Sequence, residues 1–296
     1  MTTLLPGASG SGDHSFMSNL QALLHETVTD LGASAPTYLA DLVRQGGHGF
    51  RPRLVEETAF ARSRQSHRGL TLRLAASVEV LHVASLIHDD YVDGAHSRRG
   101  LTTPRATIGG ESTLLLGTSA AIAAAMIAHD EGADFSYYFL ECAESLAAGQ
   151  LADVQRPIDK SIPFARYTDL LRKKSGSLMA LAVLFGARAA GPVDTAQMKS
   201  LTALGHEIGV AFQIADDIED FQDAVVGKPR GLDSVNGLPL TCIVMADGRP
   251  ASPESLRDEA LRLLDSASER WSAEFHTHPD PRGTIATLRD RLERPA

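Results

Sequence analysis

Cysteine is scarce in this chain, with only Cys142 and Cys242 among 296 residues. Two thiols give no disulfide framework, so they read as buried free cysteines of a reducing compartment, and the expected location is the cytoplasm. Basic charge is also in short supply. There are 28 Lys and Arg against 37 Asp and Glu, a net charge of −9. An acidic surface repels a phosphate backbone, which argues against a nucleic-acid partner. The opening MTTLLPGASGSGDHSF has neither a basic stretch nor a continuous apolar one, and reads as a disordered tail over 1–16 rather than a signal peptide. No lipidation motif stands at either end. The longest apolar stretch, Leu114 to Ala128, is rich in Ala, Gly and Ser and too short to span a bilayer comfortably. A buried core helix is expected there, with no stable membrane insertion. Long apolar–polar alternation and internal repeats are both missing, which removes sheet and solenoid architectures.

What is present is helical. Hydrophobic residues make up 43% of the chain, enough for a large core. Apolar residues recur at three- and four-residue steps over 17–32, 70–93, 114–129, 137–155, 164–190, 195–221 and 253–275. Gly-, Pro- and Asp-rich breaks separate these segments. The middle segments are apolar nearly all round and rich in small residues, as the inner helices of a bundle are. From Gly248 on the chain is more polar and is expected on the outside. The fold class is therefore all-α, one large helix bundle over 17–296 around a deep central cavity.

One short motif recurs. Asp89-Asp90-Tyr91-Val92-Asp93 and Asp216-Asp217-Ile218-Glu219-Asp220 both read D-D-x-x-D, and both end strongly apolar helical runs. On a helix Asp89 and Asp93 are one turn apart and share a face, as do Asp216 and Asp220. Carboxylates clustered at the inner end of an apolar helix repel one another and are costly to desolvate. A hard cation relieves both penalties. Magnesium suits an all-oxygen site made of one or two carboxylates and substrate phosphates. His82, Ser85, Asp89 and Asp93 form one polar stripe on an otherwise apolar helix, which should line an internal cavity.

Basic residues stand in loops beside these motifs. Arg98 and Arg99 follow the first, and Lys228 follows the second. Arg51 sits in GGHGFRP, and Lys174 opens Lys174-Ser175-Gly176. Arg forks hold phosphate oxygens bidentately and Lys adds a point charge. Carboxylates, cations and a diphosphate together make a good leaving group, which is metal-assisted electrostatic catalysis.

With GGHGFRP, HVASLIHDDYVDGAHSRRG, GQLAD, KKSGSL, AFQIADDIED, GKPRG and DSVNGLP in order from about Gly46 to about Met245, the sequence resembles the trans-polyprenyl diphosphate synthase family. The resemblance implies an all-α bundle, a homodimer, and three magnesium ions held by Asp89, Asp93 and Asp216 with help from Asp90, Asp217 and Asp220. It implies that Arg98, Lys174 and Lys228 hold the allylic diphosphate, that Arg51, His82 and Arg99 contact isopentenyl diphosphate, and that Gln150, Ser175, Phe212 and Gln213 line the reacting pocket. The implied reaction ionises the allylic C–O bond, adds the homoallylic double bond and loses a proton, with the departing diphosphate as base.

The sequence departs from the family pattern chiefly on the acceptor side. His48 and Gly49 stand where the family has Lys and Arg, and Thr102, Thr118 and Leu238 replace its usual Pro, Asp and Lys. The allylic half is intact and the acceptor half altered, so a protonatable His48 stands in for the Lys, or the acceptor differs. For product length, the small Ala84 and Ser85 leave space below the diphosphate, and Leu81 lies about 12 Å from Asp89 along the axis. That favours C20 or longer. Chain elongation is the leading expectation. Prenyl transfer to an aromatic or indolic acceptor, class I terpene cyclisation and a non-catalytic partner subunit are the alternatives.

Overall fold

The computed structural model describes residues 12–29, 49–98, 101–155, 161–225, 240–277, 279–280 and 283–294. His48, Arg99 and Lys228 lie outside the described residues. In chain order the helices are α1 (Gly12–Thr29), α2 (Phe50–Arg62), α3 (Arg68–Asp93), α4 (Pro104–Ile108), α5 (Gly110–Asp130), α6 (Ala133–Val154) and α7 (Phe164–Leu171). A single π-helical turn, Arg172–Gly176, leads into α8 (Ser177–Ala189), followed by α9 (Thr195–Val225), α10 (Pro253–Phe275) and α11 (Thr284–Glu293). Among the described residues a 3-10 turn, Leu240–Cys242, and four strands of two residues complete the list. β1 (Ser97–Arg98) pairs antiparallel with β2 (Leu101–Thr102), and β3 (Ile162–Pro163) pairs parallel with β4 (Ile243–Val244).

The all-α expectation holds, and each expected segment is found within a few residues. α8 is the innermost helix. Every residue from Ser177 to Ala189 except Arg188 is buried, which its all-round apolar sequence requires. It packs on α2, α3, α6 and α9, while α5 runs along α3 and α10 along α9. α10 shows the amphipathic pattern most plainly. Leu256, Ala260, Leu264, Ala267, Trp271 and Phe275 recur at steps of three and four and are the buried face. Ser252 opens it with a capping box, its hydroxyl accepting from the Ser255 N–H and its own N–H donating to the Ser255 hydroxyl. Such a cap contributes about 1 kcal/mol.

Three features differ from the sequence expectation. Helix α1 begins at Gly12, inside the stretch expected to be a tail, and Phe16 is buried. Helices α2, α4 and α11 were not expected. α2 carries Pro52 in its first turn, where a missing N–H costs no helical hydrogen bond. α11 is short, but Ile285, Leu288 and Leu292 bury one face of it.

The third difference is α5. By length and composition α3 and α5 are the two described helices long and apolar enough to cross a membrane. In α3 the apolar window is 72% buried in the bundle, whereas in α5 it is only 33% buried. α5 is therefore not the buried core helix expected. Its Leu116, Gly117, Ala120, Ala124 and Ala128 face is buried. Its other face leaves Leu115, Ile122 and Met126 more than half exposed, and α6, which packs on α5, likewise exposes Tyr137, Leu140, Leu151 and Val154.

Candidate active site

The first acidic motif closes α3. Gly94 caps the helix at φ 70°, a left-handed conformation that glycine adopts without strain. The chain then turns back through the β1–β2 ribbon. That return carries Arg98 to Asp90, eight residues earlier, where Arg98 Nε donates to Asp90 Oδ1 at 2.7 Å. Both side chains are almost completely buried, 5% and 0% exposed. On the neighbouring face Asp89 and Asp93 keep partial contact with solvent, as do His82 and Ser85, so the polar stripe is present. The Ser85 hydroxyl donates to the His82 carbonyl at 2.7 Å. Leu81 and Ala84, the residues expected to set product length, are buried. Surrounding protein pushes the Asp89 carboxyl up to about 6; Lys174 and Arg98 pull it down, and Asp93 and Asp90 add to the rise.

Lys174 reaches this cluster from the π-helical turn. Its Nζ donates to Asp153 Oδ2 at 2.6 Å. Asp153 is the acid of GQLAD, one turn past Gln150 on α6. The Gln150 Oε1 is buried and has no hydrogen-bond partner among the described residues. Glycines bring the turn close to two helices. A Cβ at Gly149 would stand 2.8 Å from Lys173 Cβ, and one at Gly209 would stand 2.6 Å from Gly176 Cα. Either addition would push the turn away from α6 or α9.

The second motif lies in the last part of α9, one turn before its end at Val225, and is held on two faces. On one face, Ser175 Oγ donates to Gln213 Oε1 at 2.6 Å, Gln213 Nε2 donates to Asp217 Oδ1 at 3.1 Å, and Tyr167 Oη donates to Asp217 Oδ2 at 2.5 Å. Burial pushes the Asp217 carboxyl up to about 6, against the two hydrogen bonds that lower it. It also pushes the Tyr167 hydroxyl well up, with Asp217 adding to the rise. On the other face Phe212, Asp216 and Glu219 lie at steps of four and three. Arg291 of α11 lies along them, with Nη2 2.6 Å from Asp216 Oδ1 and Nε 2.5 Å from Glu219 Oε1. Its guanidinium is 5.5 Å from the Phe212 ring centroid, and Arg51 is 5.7 Å from the same centroid. Burial raises the Asp216 carboxyl, while Arg291 opposes the rise.

Predicted site residues thus gather in two groups around one turn. Asp89, Asp90, Arg98 and Lys174 form one electrostatic cluster. Ser175, Gln213, Asp217, Asp216, Phe212 and Arg51 form the other. Lys174 and Ser175, consecutive in the chain, belong one to each. Four participants were not anticipated: Asp153, Tyr167, Glu219 and Arg291. Asp153 stood in a quoted motif. Tyr167 and Arg291 had no local signal, being 50 and 75 residues from their partners.

Among the described residues no three His, Cys, Asp or Glu are gathered into an all-protein metal cage. Magnesium does not require one, since it keeps waters and substrate phosphates. An all-oxygen pair such as Asp89 and Asp93, its charge costly to bury alone, suits such an ion.

The chain matches the polyprenyl synthetase family over residues 35–269. It is 30% identical over 250 residues to the geranylfarnesyl diphosphate synthase of Aeropyrum pernix, covering 77% of this chain and 78% of that one. It is 29% identical over 225 residues to the nonaprenyl diphosphate synthase of Mycobacterium tuberculosis, covering 75% and 66%. Its fold superposes on the heptaprenyl diphosphate synthase of Staphylococcus aureus with a TM-score of 0.72 at 19% identity, over 97% and 100% of the two chains. A polyprenyl synthase from Caulobacter crescentus, crystallised with calcium and isoprenyl diphosphate, gives 0.71 at 24% identity over 98% and 100%. A family match over most of the sequence, on a fold shared along nearly its whole length, places this chain in the polyprenyl synthetase family of prenyl transferases.

Proposed function

We propose that the chain joins an allylic prenyl diphosphate to isopentenyl diphosphate and releases a longer all-trans prenyl diphosphate, C20 or longer. The observation that carries this is the placement of Lys174 and Ser175. One side chain serves the first acidic cluster and the next bonds into the second, so a single diphosphate between the motifs would meet a cation and both carboxylate groups.

Asp89, Asp93 and Asp216 are the residues that would hold magnesium, with Asp220 beside them. Bound magnesium supplies neutralisation of the diphosphate as it becomes a leaving group. The protein groups do the rest. Lys174 and Arg98 add positive charge on the allylic side, with Lys228 as a further candidate. Gln150 Oε1, buried and without a hydrogen-bond partner among the described residues, is a further candidate acceptor on this side. Asp90 and Asp217 serve differently, since their oxygens already accept from Arg98, and from Tyr167 and Gln213. They orient neighbours rather than contact the ion. On the acceptor side Arg51 and Arg291 flank Phe212, and His48, His82 and Arg99 complete the candidates. The acceptor's double bond attacks the ionised allylic carbon, and the released diphosphate takes the proton.

Transfer to a different acceptor is the second reading, favoured by one observation. Gly49 stands where the family has Arg, its φ is 63°, and a Cβ there would lie 2.9 Å from Met17 Cε. The loop is built for glycine, so that cation is lost structurally as well as chemically.

The exposed apolar face of α5 and α6 supports a homodimer, because a second copy would cover it. Sedimentation of the purified protein at micromolar concentration should give twice the chain mass, and Leu115→Glu with Met126→Glu should give monomer.

The activity is tested by product analysis with C5, C10, C15 and C20 allylic diphosphates, with and without isopentenyl diphosphate. Elongated products that require isopentenyl diphosphate are expected. Turnover only with an aromatic co-substrate would replace the acceptor assignment.

A further inference from the structure

Tyr167 belongs to no motif and sits on α7, outside both acidic segments. We infer that Tyr167 is a positioning residue for the reaction, acting through Asp217 on the Gln213 amide and the π-helical turn. The inference deepens the proposed function and rests on it, because the turn carries Lys174.

The argument is one of donors and acceptors. An ionised carboxylate only accepts hydrogen bonds, whereas an amide both donates and accepts. Asp217 has one oxygen on Tyr167 Oη and the other on Gln213 Nε2. The Gln213 amide must therefore turn its nitrogen to Asp217. Its Oε1 is left to accept from Ser175 Oγ at 2.6 Å. Each group in the sequence Tyr167, Asp217, Gln213, Ser175 fixes the orientation of the next. A neutral group at 217 would leave the amide free to flip.

The far end is where geometry matters most. Ser175 lies in a five-residue π-helical turn, a local departure from α geometry that recurs at functional sites. The turn is wedged against Gly149 and Gly209. Its neighbour Lys174 reaches Asp153 and acts electrostatically on Asp89. The hydroxyl of Tyr167 is thus joined to Lys174 through three hydrogen bonds and one peptide link, and Lys174 acts on Asp89 of the first motif through its charge. Aromatic packing alone would not need that hydroxyl, since the Phe164 ring packs beside it at a tilt, with centroids 6.1 Å apart. A buried phenol is costly unless paired, and its partner here is the carboxylate that orients Gln213.

A double-mutant cycle tests this on the full chain, using Tyr167→Phe, Gln213→Ala and the double variant. Steady-state turnover with an allylic diphosphate and isopentenyl diphosphate is measured beside thermal stability. Tyr167→Phe should lower kcat about ten-fold with KM changed less than about two-fold, and the double variant should be no slower than Gln213→Ala alone. Full kcat in Tyr167→Phe, or a double variant whose loss is the product of the single losses, would overturn the inference. If Tyr167→Phe does not fold, Asp217→Asn takes its place in the cycle with the same two criteria. Should wild type itself be inert with every allylic diphosphate, the proposed function fails. The same cycle is then read as affinity for inorganic pyrophosphate in magnesium. A several-fold loss in Tyr167→Phe that vanishes in the Gln213→Ala background supports the role, and unchanged affinity rejects it.

Discussion

The two acidic motifs have nearly the same sequence and are held in place very differently. The first is organised locally. Its middle Asp90 is paired with Arg98, which a glycine-capped turn brings back after eight residues. The second is organised from far along the chain. Tyr167 reaches Asp217 from 50 residues before it, and Arg291 reaches Asp216 from 75 residues after it. In both, the middle Asp accepts from protein donors, and the outer Asp side chains keep partial contact with solvent. The difference teaches that a D-D-x-x-D segment specifies a face of carboxylates, while the surrounding fold decides what opposes them.

Removing the leading carboxylate of either motif is the strongest way to break the comparison. Asp89→Ala and Asp216→Ala should each lower kcat by roughly a thousand-fold or more, as loss of a metal ligand does. A large loss in one and an intact rate in the other would show that the two do not act together.

Arg98→Ala comes next and separates the motifs by stability. It leaves Asp90 buried without its guanidinium and should cost about 3–5 kcal/mol of unfolding free energy, read by denaturant titration. Arg291→Gln should cost less, because Asp216 and Glu219 are 34% and 51% exposed. Its main effect should be on metal. With the guanidinium gone from Asp216, Mn2+ affinity measured without diphosphate should rise about five-fold, the worth of one partly exposed ion pair at about 1 kcal/mol. Unchanged affinity would mean that Arg291 does not compete for that carboxylate.

The smallest effect concerns what holds α11 down. Glu57 of α2 accepts from the Thr284 N–H at 3.0 Å and from its hydroxyl at 3.1 Å, occupying the start of α11. Burial pushes its carboxyl up to about 7, against the hydrogen bonds to Thr284. The folded chain therefore binds this proton more tightly than the unfolded chain, whose carboxyl ionises near 4.5. Ionisation costs stability progressively as pH rises between those values, and the cost is complete above the upper one. Glu57→Gln should thus gain on wild type by a few degrees of Tm between pH 5 and pH 8. A constant difference across that range would remove the ionisation cost.

Legibility in the sequence follows the same division. Helices α3, α5, α6, α9 and α10 were visible because each carries a long run at three- and four-residue steps. Asp89, Asp93, Asp216 and Lys174 were visible because their motifs are contiguous. Arg291 was not. It sits in a short polar helix that reads as an outer cover, and its meaning appears only when α11 packs against α9. Tyr167 was hidden for a similar reason, since an aromatic on a helix face reads as core. The exposed side of α5 was misread because apolar composition does not say which neighbour covers it.

The most direct test of one site shared by two motifs is calorimetric titration of inorganic pyrophosphate into wild type, Asp89→Ala, Asp216→Ala and Lys174→Ala, each with and without magnesium. Wild type should bind one pyrophosphate per chain only when magnesium is present, and each variant should lose that binding by at least about ten-fold. Undiminished binding in either Asp variant would contradict the claim that both motifs close on the same diphosphate.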